Sequence, residues 1–166
     1  MEILTYNEKF ELQTCWRVES CTLYPADSVV MAIFSREGCR IKLEGSPIEV
    51  PLLDDASCYD ESTVSKQGAT SVLHLLHLVA DRGCAEEWLE ESFLEQATFE
   101  GFVALITLND GRRLLAGYSA HLEAEQPLRL EKITSTSGNA LRETPSVTLE
   151  LVAYDADFSP EILEIV

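Results

Sequence analysis

Basic residues are scarce in this chain: 12 lysines and arginines stand against 29 acids, for a net charge of −17. A surface so negative repels phosphates, which excludes a duplex-binding groove and leaves no direct nucleic-acid contact to expect. The excess is uneven. Residues 1–80 hold 6 basic and 12 acidic side chains, and residues 81–166 hold 6 and 17. Solubility is its ordinary meaning; a surface that keeps an anionic molecule from sticking is the sharper one.

Long apolar runs are missing too. The greasiest stretch, Val72 to Ala80, is far shorter than the roughly 20 residues of a membrane span, so no membrane contact is expected. The opening MEILTYNEKFEL carries acids early and no basic segment ahead of an apolar run, so a secretory signal is not expected. The five cysteines (Cys15, Cys21, Cys39, Cys58 and Cys84) are odd in number, scattered, and without a C-x-x-C. That is neither a disulfide framework nor a zinc site; it reads as reduced thiols in a cytoplasm. There is no G-x-S-x-G, Walker loop, G-x-G-x-x-G or H-E-x-x-H, and the TSTSG run at 134–138 lacks the strand-to-helix step of a phosphate nest. No catalytic, cofactor-binding or metal-binding residue is therefore assigned.

What is present is alternation. Val18 alternates with Arg17 and Glu19 in CWRVESCTLY, and Ile41 and Leu43 alternate with Arg40, Lys42 and Glu44 in CRIKLEG, the period of half-buried strands. VVMAIF (29–34) reads as a short buried run. PLLDDASCYDESTVSKQGAT is polar and acidic, and predicts a long loop at about 51–70. SVLHLLHLVAD (71–81) reads as a strand, followed by one helix over about 85–98 with Trp88, Leu89, Phe93 and Ala97 on one side and Glu87, Glu91 and Glu95 on the other. Early glutamates suit the helix dipole, and Gly101 is a plausible stop.

A hairpin follows. Asn109-Asp110-Gly111 supports either a two-residue type I′ turn or a type I turn with Gly111 in a bulge. Its first strand is apolar on both faces: Phe102, Ala104, Ile106 and Leu108 on one, Val103, Leu105 and Thr107 on the other. One face is expected to meet a second sheet, and the helix to cover the other. Strands at 127–134 and 146–155 complete the count. The expected fold is a single α+β domain over 1–166, mainly β: a two-layer sandwich or barrel-like sheet with one flanking helix.

Chemistry-bearing residues each have an ordinary reading. His74 and His77 would be neighbours on a helix but face opposite ways on a strand, where they cannot share a metal. Hydrogen-bonded core or interface histidines are expected. Asp54, Asp55, Asp60 and Glu61 lack the spacing of a calcium loop. Asp155 and Asp157 flank Ala156 as the polar end of a strand. Of the cysteines, only Cys84 stands ahead of a helix, and a partly exposed thiol is expected there.

HLLHLVADRG, EGFVALITLNDGRRLLAGYS, EQPLRLEKITSTSG and ETPSVTLELVAYDADFSPEIL together resemble a group of structural proteins encoded in prophage tail-gene neighbourhoods, over residues 71–166. The resemblance implies a non-enzymatic structural or assembly role in a phage-like tail, similar to tail-tube or tube-end proteins. Those are β-sandwiches with one flanking helix that stack as rings around a negative lumen. It implies a homo-oligomer, or contacts with other tail proteins, through loops such as 51–70 and 135–145. Made in the cytoplasm, such a chain would be incorporated in a virion-like particle. Two other readings have distinct signatures. A monomeric peptide- or small-molecule-binding module needs a concave apolar site near 51–70. A thiol or carboxylate enzyme needs His74 or His77 in reach of a cysteine or acid in a cleft.

Overall fold

The computed structural model describes residues 15–136 and 145–166. Among the described residues thirteen strands run in chain order: β1 (Cys15–Pro25), β2 (Val29–Phe34), β3 (Cys39–Leu43), β4 (Ile48–Glu49), β5 (Cys58–Lys66), β6 (Ala69–Asp81), β7 (Phe102–Leu108), β8 (Arg113–Ala116), β9 (Tyr118–Ser119), β10 (Ala124–Glu125), β11 (Arg129–Thr136), β12 (Ser146–Asp155) and β13 (Ile162–Ile165). The main sheet has the order β11-β12-β6-β5-β1-β7-β8, with β4 alongside β1. A second sheet, β13-β3-β2, has three strands, and β9 pairs with β10. Among the described residues no helix is long and apolar enough to cross a membrane.

The main sheet curls back on itself. Phe102 at the start of β7 exchanges both backbone hydrogen bonds with Leu128, just ahead of β11 (2.8 and 2.9 Å). That seam brings backbones close enough to require glycine. At Gly117 (φ +88°) a Cβ would lie 2.6 Å from the Phe102 carbonyl, and at Gly101 (φ +79°) 2.7 Å from that of Leu128.

Strand β7 is covered on both faces. Phe102, Ala104, Ile106 and Leu108 enter the main core with Trp88, Phe93, Leu76 and Leu149. Val103 packs with Cys39, Ile41, Leu115 and Ile162 beneath the three-stranded sheet. The α+β, mainly β sandwich with a helical flank is thus the observed architecture. The β7–β8 turn takes the bulged form: Gly111 sits at φ +91°, and Leu108 N–H bonds to Arg112 O at 2.8 Å.

Three expectations need correction. Residues 58–66 are not loop but strand β5, joined to β6 by a tight turn at Gln67 and Gly68 with φ 51° and 81°. Loop structure is confined to 51–57 around an isolated bridge from Leu52 to Ala80. Its period was hidden because the inward residues, Tyr59 and Glu61, are polar. VVMAIF is not a buried run but an edge strand: Val30 and Ile33 are 55% and 52% exposed, while Val29, Ala32 and Phe34 pack inward.

The helix is real but broken. α1 (Ala85–Trp88) and α2 (Glu91–Glu95) are separated by Leu89 (φ −92°, ψ 73°), and a wider turn follows over Gln96–Glu100. The expected shared side does not hold on one continuous α-helix, where Trp88 and Phe93, five residues apart, would point about 140° away from each other. The break turns both into the core, where their rings meet edge-on at 5.3 Å.

Candidate functional site

Strands β5, β6 and β12 lie side by side with Glu61 opposite His74 and His74 opposite Ala153. Alternation therefore turns Tyr59, Glu61, His74 and Asp155 to the same inner face, and all four are buried. Onto them folds the segment 156–160 that links β12 to β13. His74 Nε2 lies 2.9 Å from the Asp157 carbonyl. A carbonyl only accepts, so Nε2 carries the proton and Nδ1 accepts. Two hydroxyls face Nδ1, Tyr59 Oη at 2.8 Å and Ser159 Oγ at 3.0 Å, and these two lie 2.6 Å apart. The Ser159 N–H donates to Glu61 Oε2 at 2.9 Å.

Burial sets the protonation of the cluster. It lowers the His74 pKa below its ordinary 6.5, so the ring is neutral. Glu61 is pushed up from 4.5 to about 7, first by burial and then by the charges of Asp157 and Asp155, against bonds from Ser159 and Tyr59 that lower it. Tyr59 is raised well above its ordinary value, again mainly by burial.

The cluster is a latch. It holds 156–160, and so delivers Ile162 to β3, where β13 pairs in parallel. Its chemistry would allow a hydroxyl–imidazole pair such as Ser159 with His74. With His74 2% and Tyr59 0% exposed, a substrate reaches the ring only if that segment lifts.

The latch predicts a pH dependence. Folded, Glu61 keeps a proton that the unfolded chain releases near its ordinary 4.5. Its contribution is full below that value and is lost as pH rises through about 7. The loss is on the order of 3 kcal/mol. His74 works oppositely, since below its ordinary 6.5 the unfolded chain takes up a proton that the buried ring refuses. Glu61→Gln removes the first effect alone. Urea denaturation across pH should find the variant more stable than the parent in mildly alkaline buffer, with the gap closing toward acid. Parallel stability curves would contradict the assignment.

The remaining sequence candidates separate. His77 faces outward from the opposite side of β6, with Nδ1 3.5 Å from Glu150 Oε1. Asp55 pairs with Arg17 at 3.6 Å in the turn before β5, while Glu61 is buried inside. Among the described residues no group of three histidines, cysteines or acids gathers to hold a metal. Cys21 and Cys39 are buried, with thiols pushed up to about 12 and about 11 by desolvation. Cys84 is half-buried. Residues 137–144, which include most of the expected contact loop 135–145 and the end of TSTSG, lie outside the described residues.

Two surface features were not read from the sequence. One is a cleft of about 470 Å³ between Pro47–Pro51 and the broken helix, sharing only Pro51 with the stretch where a concave site was expected. A smaller one, of about 330 Å³, lies within that stretch at Leu53, Asp54 and Asp55 and is rimmed by Arg17 and Asn109. The other feature is the three-stranded sheet, whose outer strands are unlike. β2 exposes Val30 and Ile33, and β13 exposes Leu163 and Ile165 at 45% and 41%. VVMAIF lacks the proline or lysine that protects an edge, but an apolar run of this kind fits a central strand equally well. Compared with known proteins, the chain matches no family model, no curated protein and no solved structure.

Proposed function

We propose that the chain is a structural subunit that assembles with copies of itself, in a phage-like tail as the resemblance of residues 71–166 implies, and that it is not an enzyme. The observation that carries this reading is the pair of unlike edges on the β13-β3-β2 sheet. Each edge presents exposed aliphatic side chains, and a strand end of a sheet presents backbone groups that another strand can pair. A β2 edge of one copy set against the β13 edge of the next makes a head-to-tail contact. Such contacts close into rings when the rotation allows and otherwise extend as filaments. The ends of the main sheet are protected. β11 carries Glu131 and Lys132, and β8 is met by a bond from Leu115 N–H to Pro160 O.

Charge supports the same reading. A net −17 gives DNA nothing to bind, so a ring of such subunits would let it pass without sticking. Assembly in the cytoplasm and incorporation in a virion-like particle belong to this proposal.

Sedimentation velocity tests it. The parent chain should associate with rising concentration, and more strongly at physiological salt than at low salt, because salt screens repulsion between acidic copies. Ile33→Lys, at a half-exposed position, should fold normally and sediment as a monomer. A parent chain that stays monomeric from micromolar to millimolar, or an Ile33→Lys variant that associates as the parent does, would contradict the proposal.

A further inference from the structure

The segment 156–160 lies over the inner face of β5, β6 and β12 as a strap, and two buried titratable groups sit beneath it. Glu61 receives the Ser159 N–H at 2.9 Å. Two more carboxylates act on it, Asp155 from the end of β12 and Asp157 from the strap. Each of these is taken up by the N–H of the residue after it, at 2.6 and 2.8 Å. Among the described residues no lysine or arginine pairs with any of the three. A carboxyl placed so is seated with its proton on. His74 gives its Nε2 proton to the Asp157 carbonyl and turns Nδ1 to the Tyr59 and Ser159 hydroxyls, which suits a neutral ring. The titratable groups acting on this pair are thus Tyr59 on β5, Asp155 on β12 and Asp157 on the strap.

Beyond the cluster the strap is lightly held. Leu115 N–H bonds to Pro160 O at 3.0 Å, and Cys39 N–H to Glu161 O at 2.7 Å. Strand β13 has β3 as its one neighbour, and Leu163 to Ile165 are exposed. A segment with so few buried apolar contacts opens more readily than the core. We propose that the strap opens locally, and that each opening moves one proton from Glu61 to His74, so that the pair is neutral when closed and charged when open. Once water reaches them, Glu61 releases near its ordinary 4.5 the proton it otherwise keeps to about 7, and His74 regains the 6.5 that burial lowers. Between 4.5 and 6.5 the proton lost by one is gained by the other, and none is exchanged with solvent on balance. Glu61 alone would weaken closure as pH rises toward 7, and His74 alone would weaken it as pH falls below 6.5. Together they keep the strap nearly indifferent to pH, where either one would make it a switch.

This inference concerns the inside of one chain and does not rest on self-association. Hydrogen exchange of the full chain tests it, with rates divided by those of unstructured amides. The amides of Ser159, Cys39 and Leu115 lose their acceptors when the strap lifts, so they report its opening. They should exchange at least about tenfold faster than the seam amides of Phe102 and Leu128. From pH 5 to 6.5 their opening in the parent should change by less than about fivefold. In Glu61→Gln it should fall several-fold as pH rises, leaving the His74 effect alone. In His74→Gln, which keeps a donor for the Asp157 carbonyl, it should rise more than about tenfold. Parent and Glu61→Gln suffice where His74→Gln does not fold, because the ratio of their openings should itself rise more than about tenfold over that range. A parent response as steep as that expected of His74→Gln, a Glu61→Gln variant that opens as pH rises, or reporter amides no faster than the seam would each overturn the proposal.

Discussion

Replacing Phe93 by alanine is expected to destabilise the chain by about 3–5 kcal/mol, the cost of emptying an aromatic-sized space in a packed core. Phe93 is the middle ring of three. Trp88 meets it edge-on, and Phe102 stacks on it at 5.3 Å with planes 25° apart. Phe102 also sits on the seam that closes the main sheet. Losing the middle ring therefore loosens the helical segment and the seam together, and Trp88 has no other aromatic neighbour among the described residues. Chemical denaturation should show a lower midpoint, with amides of 85–100 exchanging faster. Phe99→Ala is the control: it stands in the same helical stretch but is 76% exposed, and should change stability by no more than about 0.5 kcal/mol. Equal effects of the two substitutions would mean that the broken helix does not cover the core.

Gly117→Ala is expected to be strongly destabilising for the addition of one methyl group. Two costs combine there. The backbone is at φ +88°, which costs an L-residue on the order of 1–2 kcal/mol. The added carbon would also stand 2.6 Å from the Phe102 carbonyl, which is already engaged with Leu128 N–H. That oxygen cannot yield without opening the seam, and such overpacking costs typically about 1–3 kcal/mol more. Gly111→Ala separates the two. It shares the backbone conformation at φ +91°, but nothing lies within 4 Å of its added carbon. It should therefore show the conformational cost alone. The difference between the variants measures the clash, and hydrogen exchange at Phe102 and Leu128 should rise only in Gly117→Ala. Equal losses would place the seam's stability elsewhere.

Sequence legibility followed the polarity of what is buried. Strand β7 was legible on both faces because its residues are apolar but for Thr107, and their covers, the helix and the second sheet, are apolar too. Strand β12 was legible to its ends, since Val147, Leu149, Leu151 and Ala153 alternate with half-exposed residues. Strand β5 was not, because a buried tyrosine and a buried glutamate read as surface when their partners, His74 and Ser159, are distant in sequence. The same separation hid the latch: His74 was correctly read as a hydrogen-bonded core residue, but nothing in the sequence pairs it with a segment 83 residues away. VVMAIF misled in the opposite direction. Six apolar residues fit a central strand as well as an edge, and only topology assigns the edge. The break in the helix likewise had no glycine or proline to announce it; it comes from Trp88 and Phe93 competing for one core.

The most direct measurement of the head-to-tail edge contact uses two single-site variants, Ile33→Cys and Ile165→Cys, each carrying Cys15→Ser, Cys58→Ser and Cys84→Ser so that only the buried Cys21 and Cys39 remain beside the new thiol. Mixed under mild oxidation, they should give a disulfide between one chain of each kind, because β2 of one copy lies against β13 of the next. Each variant oxidised alone should remain uncrosslinked. A disulfide in the Ile33→Cys variant alone would mean that β2 pairs with itself across a two-fold axis. No crosslink in the mixture, at concentrations where the parent chain associates, would mean that these edges are not the contact.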